Sequence, residues 1–110
     1  MGIKPTQAMN IELLALIDAG VISAPTPVRG PRLYPEIAAE LLPDATFRWR
    51  EMVFHSPSVA AGEIVTRSTG TTSPGRRYLS VNGWKFWHLE TPSGLRSLAE
   101  LRDDNKLQKR

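Results

Sequence analysis

A chain of 110 residues with no cysteine has room for one ordinary domain, and its fold must hold without disulfides, a thiolate metal site or a Cys nucleophile. Hydrophobic residues make up 41% of it, which suffices for a modest core. The net charge of +3 is unevenly placed, with Arg48, Arg50, Arg67, Arg76, Arg77 and Lys85 set against only Glu51 and Glu63 between Ala45 and His88; such an arginine-rich middle suits a phosphate-bearing partner or an ordinary solvated surface.

Residues 1–10 read as a flexible polar leader without the apolar run of a secretory signal. "NIELLALIDAGVI" predicts a helix: Asn10 caps it, Glu12 meets its positive end, Leu13, Leu14, Leu16 and Ile17 form the apolar stripe, and Gly20 stops it. Its "LLALI" core is far below the roughly 20 apolar residues of a bilayer span, so no membrane association is expected. The expected location is the cytoplasm, with nucleoid association if the partner is DNA. "SAPTPVRGPRLYP" carries four prolines and a glycine and predicts an irregular connection. Ile37 to Leu42 has helical composition but too little length between Pro35 and Pro43, so a small antiparallel meander is expected through Phe54, broken near Arg50-Glu51.

"SPSVAAGEIV" begins a helix with Ser56 as cap and Pro57 in the first turn, followed by an apolar face of Val59, Ala60, Ile64 and Val65. "TRSTGTTSPGRR" loses all periodicity and reads as a mobile loop ending in Arg76-Arg77. In "YLSVNGWKFWHLE" the Asn-Gly pair predicts a type I′ hairpin between two strands. On such a strand Trp84 and Phe86 share one face while Trp87 takes the other, so one face must be core; Trp87 is assigned inward and Trp84 outward. After a "TPSG" turn, Ser97 and Glu100 stand at capping-box spacing in a closing helix with Leu98 and Leu101 inward. The expected fold class is α+β, a small single domain with an antiparallel sheet of short strands or hairpins and about three helices.

No GxGxxG or GxxxxGK[ST] phosphate loop, HExxH pair or GxSxG elbow occurs. The only histidines, His55 and His88, lie far apart: His55 reads as a surface or cap-region residue and His88 as half-buried, and either can touch a phosphate. No catalytic residue, metal ligand or cofactor is expected, and the chain is read as a non-enzyme.

Three stretches taken together, "FHSPSVAA", "VNGWKFWHLE" and "GLRSLAELR", resemble the restriction enzyme and adenine methylase associated (RAMA) domain, and "LLALIDAGVI" is similar to that family's opening helix. The likeness covers about residues 11 to 103; the domain is drawn at 11–105, with an inserted loop at about 66–78 and a basic tail at 106–110. Two departures stand out: Pro43-Asp44 and Arg50-Glu51 occupy turns where relatives usually carry glycine, and the "TRSTGTTSPGRR" link is long. The resemblance implies DNA binding, often of adenine-methylated DNA, and frequent attachment to methyltransferases or nucleases; for this chain the expected partners are double-stranded DNA and a separate nuclease or methyltransferase. No methyltransferase motif is present in this chain.

By motif position the resemblance puts Ser56, Asn82 and Trp84 at the DNA, and the full set assigned to that surface adds Ser58, Gly83, Lys85, Arg76 and Arg77, with Phe86 and Trp87 as support. An Asn amide can pair with the N6 and N7 edge of adenine, which keeps one N–H after methylation, and an indole can supply a wall for the methyl group. Each residue also has a plainer role: Asn82 as turn geometry, Ser56 as helix cap, one of the tryptophans as core. The alternatives are a DNA-positioning module indifferent to modification and a protein-interaction adaptor that docks through its aromatic residues.

Overall fold

A computed structural model describes residues 10–108; the rest of the leader and the last two residues of the basic tail lie outside the described residues. The elements are α1 (Ile11–Asp18), β1 (Thr26–Arg29), β2 (Ala38–Leu41), β3 (Phe47–Trp49), β4 (Met52–Phe54), α2 (Pro57–Thr69), α3 (Gly83–Phe86), β5 (His88–Thr91), β6 (Gly94–Ser97) and α4 (Leu98–Gln108). All six strands join one antiparallel sheet in the order β4-β3-β2-β1-β5-β6. The α+β class and the early meander stand as expected. A fourth helix, one turn long, is added.

Period-two alternation explains why the sheet has one covered face. Val28, Leu41, Phe47, Phe54 and Leu89 all point to the same side and are buried. The opposite face carries Arg29, Glu40, Arg48 and Glu90, with an ion pair between Arg48 and Glu40 at 2.6 Å. Both partners of that pair are exposed enough for solvent to screen it, so it adds little stability. Helix α2 packs on β3 and β4, while α3 packs on α2 and α4. Leu13 and Leu16 bring α1 into the same core.

Local cap chemistry sets the helix starts. Asn10 Oδ1 accepts from the Leu13 N–H at 2.9 Å, and Ser56 Oγ accepts from the Val59 N–H at 3.1 Å, with Pro57 in the first turn. Ser97 and Glu100 form the reciprocal box: the Ser97 N–H donates to Glu100 Oε1 at 2.9 Å and the Glu100 N–H donates to Ser97 Oγ at 3.1 Å. The Ser97 amide, helped by the Arg96 guanidinium, holds the Glu100 carboxyl below its ordinary range. A lowered folded pKa contributes stability above the unfolded carboxylate value near ~4.3, and that contribution is lost as pH falls through the lowered folded value. Glu100→Gln should therefore lower the melting temperature at pH 7 and leave it close to wild type at pH 3. An equal deficit at both pH values would exclude the carboxylate as the source.

Four expectations are corrected. The proline-rich connection contains β1, an interior strand, because Val28 is needed in the core and Pro27, which lacks an N–H, falls where β1 meets β5 through the single pair Arg29 and His88. The irregular stretch after α2 begins later than expected, since Thr66 to Thr69 complete α2 and Gly70, at φ +83°, is its left-handed cap. The chain after the "TPSG" turn forms β6 before the last helix, with Thr91 paired to Gly94 across Pro92 and Ser93. The Asn-Gly pair makes no hairpin. Residues 79–82 form no strand, and Gly83 opens α3 with Asn82 as its cap.

Candidate nucleic-acid interface

Gly83 explains why Asn-Gly behaves as it does here. It is not among the glycines with positive φ, so the turn conformation that favours glycine is not its role. A Cβ on Gly83 would collide with the backbone of Pro57 and Ser58. Glycine is present because two backbones touch. At that contact the Gly83 N–H donates to Ser58 Oγ at 2.9 Å, and the Trp87 indole N–H donates to the Pro57 carbonyl at 3.0 Å. The Ser-Pro-Ser and Asn-Gly-Trp stretches, far apart in sequence, are thus two halves of one joint at the start of α2.

The aromatic cluster divides around that joint. Trp87 is 0% exposed; it stacks on Phe47 at 5.6 Å between ring centroids and meets the edge of Phe86 at 4.8 Å. Phe86 is also buried, and its ring contacts Tyr34 at 5.8 Å. The inward assignment of Trp87 holds, although the helical turn, not strand alternation, sends it there. Trp84 is half-buried against the core, and the Arg102 guanidinium lies 4.5 Å from its ring centroid. A base can take that face only by displacing Arg102, whose Nε is buried with no hydrogen-bond partner among the described residues.

Asn82 and Lys85 are exposed on the same turn. Asn82 Oδ1 already accepts from the Trp84 N–H at 3.0 Å, so one of its two acceptor sites is committed, and the NH2 of this exposed residue has no partner among the described residues. Ser56 is committed as a cap and Ser58 to the joint. Lys85, the Asn82 amide and the exposed part of Trp84 are what remain for a ligand at this end.

Arg77 and its neighbour Arg76 stand elsewhere: Arg77 meets Glu63, which lies seven residues, or about 10 Å, along α2 from Ser56. Arg77 approaches the Glu63 carboxylate at 4.0 Å, and Arg67 approaches the same group at 3.3 Å. The loop that carries Arg76 and Arg77 is laced to α2: the Leu79 N–H donates to Thr66 Oγ1 at 2.8 Å, and the Ser80 N–H donates to Ser73 Oγ at 2.9 Å. Close approach at Gly62, where a Cβ would meet the Leu79 carbonyl and the Tyr78 ring, seats the same segment. The assigned residues thus form two groups along one helix, not a single cluster. His55 is exposed, while the half-buried His88 donates from Nδ1 to the Phe86 carbonyl at 2.9 Å.

With this joint in view, one comparison is decisive: the sequence pattern of the family RAMA, Restriction Enzyme Adenine Methylase Associated, matches residues 3–109. The chain belongs to the RAMA family. No curated protein matches it. The RAMA name associates the family with restriction enzymes and adenine methylases. The described residues of this RAMA chain include no group of three or more His, Cys, Asp or Glu able to hold a metal ion, and no helix long and apolar enough to cross a membrane.

Sequence reasoning missed a recess in this RAMA chain. At the far end of α2, a cleft of about 520 Å³ is walled by Tyr34, Glu36, Trp49, Arg50, Arg67 and Ser68, among others. The available signal was Arg50, a charged residue with φ +59° in the two-residue turn between β3 and β4, where glycine is usual.

Proposed function

We propose that this chain is a non-enzymatic module that binds double-stranded DNA and reads an adenine modification, N6-methyladenine, within a restriction-modification system. It would act beside a separate nuclease or methyltransferase and needs no cofactor of its own. Membership of the RAMA family supports the setting. The observation that carries the DNA reading is the pair of exposed cation groups along α2, Lys85 at its start and Arg77, with its neighbour Arg76, near Glu63. The Gly83 and Gly62 contacts seat α3 and the Tyr78–Leu79 segment on α2, so the chain on either side of these cations is already placed when phosphates arrive. Base reading is assigned to the Asn82 amide, with the exposed part of Trp84 as the apolar wall for a methyl group.

The test is a titration of the chain against fully methylated, hemimethylated and unmodified duplexes at two salt concentrations. Preference for a methylated duplex is the expected result. Equal binding to all three would reduce the module to DNA positioning, and absence of binding at low salt would favour a protein-docking role. Changing Arg76 and Arg77 together to alanine should lower the slope of log affinity against log salt by about two while leaving methyl preference unchanged. An unaltered slope would remove this loop from the interface.

A further inference from the structure

The cleft at the far end of α2 contains what a single nucleotide requires, and none of the assigned DNA-facing residues lines it. Its volume lies within the usual range of small-molecule sites. The Arg50 guanidinium lies 4.3 Å from the centroid of the Trp49 ring, so a planar cation already covers an indole at the mouth. Bases stack on guanidinium planes and aromatic rings alike. Across the cleft stands Arg67, held by Glu63 at 3.3 Å and about half exposed. Glu36 adds an acceptor for a base amino group, and Ser68 adds a hydroxyl.

Two features indicate that the cleft is preformed. The loop from Gly30 to Ile37, which supplies Tyr34 and Glu36, is closed by hydrogen bonds from the Gly30 N–H to the Ile37 carbonyl at 2.8 Å and from the Tyr34 N–H to the Pro31 carbonyl at 2.8 Å. Tyr34 is further held by contact with the buried Phe86 ring. Arg50, for its part, holds a left-handed backbone that a glycine would adopt without strain. Arg50 nonetheless carries a long charged side chain there, laid over the Trp49 ring and lining the cleft.

The geometry points to a site for one unstacked nucleotide of DNA, its base laid on the Arg50–Trp49 stack and its phosphate on Arg67. This rests on the DNA reading above and adds to it a second contact point. The neighbouring charge favours DNA as the source over a free nucleotide: Arg67 and the loop residue Arg77 share the Glu63 carboxylate, so the cleft adjoins the second of the two cation groups along α2. A nucleotide displaced from a duplex lying along α2 would have its neighbouring phosphates on those cations. Each base stacked in this way typically changes affinity by about five- to a hundredfold.

The experiment compares three ligands for the full chain: a fully paired duplex, the same duplex with one unpaired 2-aminopurine, and adenosine monophosphate. The wild type should favour the unpaired duplex by about tenfold, with altered 2-aminopurine emission as the base stacks. Arg50→Gly should abolish that preference, leave affinity for the paired duplex within about twofold and leave the melting temperature unlowered, because glycine suits the turn. Arg67→Gln should weaken the unpaired duplex selectively. A wild-type preference near one, or a preference that survives Arg50→Gly, overturns the site. Binding of adenosine monophosphate that depends on Arg50, with no gain for the unpaired duplex, also overturns it and makes the cleft a free-nucleotide site. If paired duplex binds normally while the preference is absent, only this inference falls; if no nucleic acid binds, the DNA reading falls with it.

Discussion

Gly83→Ala should cost about 3 kcal/mol of folding free energy, the upper end for an overpacked site and more than an alanine costs at an ordinary turn glycine. The added methyl group would enter the space occupied by the Pro57 carbonyl and the Ser58 amide, both backbone atoms at the start of α2. Neither can swing aside as a side chain would. Relief requires α3 to lift from α2, which breaks the bond from Gly83 to Ser58 Oγ and strains the one from the Trp87 indole to the Pro57 carbonyl. For a domain near 100 residues, each kcal/mol lowers the melting point by about 4–8 °C, so a fall of well over 10 °C is expected. Gly20→Ala provides the contrast. Gly20 has φ +81° and open space around it, so alanine there meets only backbone strain of about 1–2 kcal/mol. Similar losses at the two positions would show that Gly83 serves a turn and not a contact.

The second large effect separates the two tryptophans. Trp87→Ala removes a side chain with no exposed surface, its stack on Phe47, its edge contact with Phe86 and its indole bond to Pro57. Truncating a buried Trp costs about 3–5 kcal/mol, a large share of the ~5–15 kcal/mol that holds a domain together. Cooperative unfolding and near-UV ellipticity should both suffer. Trp84→Ala should instead leave a folded domain, since the ring is half-buried and its guanidinium neighbour, Arg102, also has Glu12 and Asp103 as partners at 3.9 and 3.6 Å. Its deficit should appear in binding to methylated duplex. Should Trp84→Ala melt as poorly as Trp87→Ala, the outward assignment of Trp84 would be lost.

Legibility in the sequence followed the range of the forces involved. Asn10, Ser56 with Pro57, and Ser97 with Glu100 were readable because a cap is settled within four residues. The strand around Val28 was not, since Pro27 argues against a strand locally while pairing with β2 and burial of Val28 override it. Asn82-Gly83 misled for a related reason. The dipeptide suits a hairpin, but here Asn82 caps a helical turn and Gly83 answers to a backbone contact some 25 residues away in sequence. The joint could be named by its motifs without its geometry being visible. The far cleft was harder still, because Tyr34, Trp49 and Arg67 come from three separate segments that only the folded sheet and α2 bring together.

The lacing of the loop to α2 also bears on how freely the chain can change length. Thr66 Oγ1 holds both the Thr71 carbonyl, at 2.7 Å, and the Leu79 amide, at 2.8 Å, so the segment leaves and returns to nearly the same point on the helix. Once the ends of a loop are anchored, doubling its length costs only about 0.6 kcal/mol of closure entropy. Residues between Thr71 and Ser73 can therefore be added without disturbing the joint at Gly83. A reporter peptide inserted there would ride beside Arg76 and Arg77 on an otherwise unaltered domain.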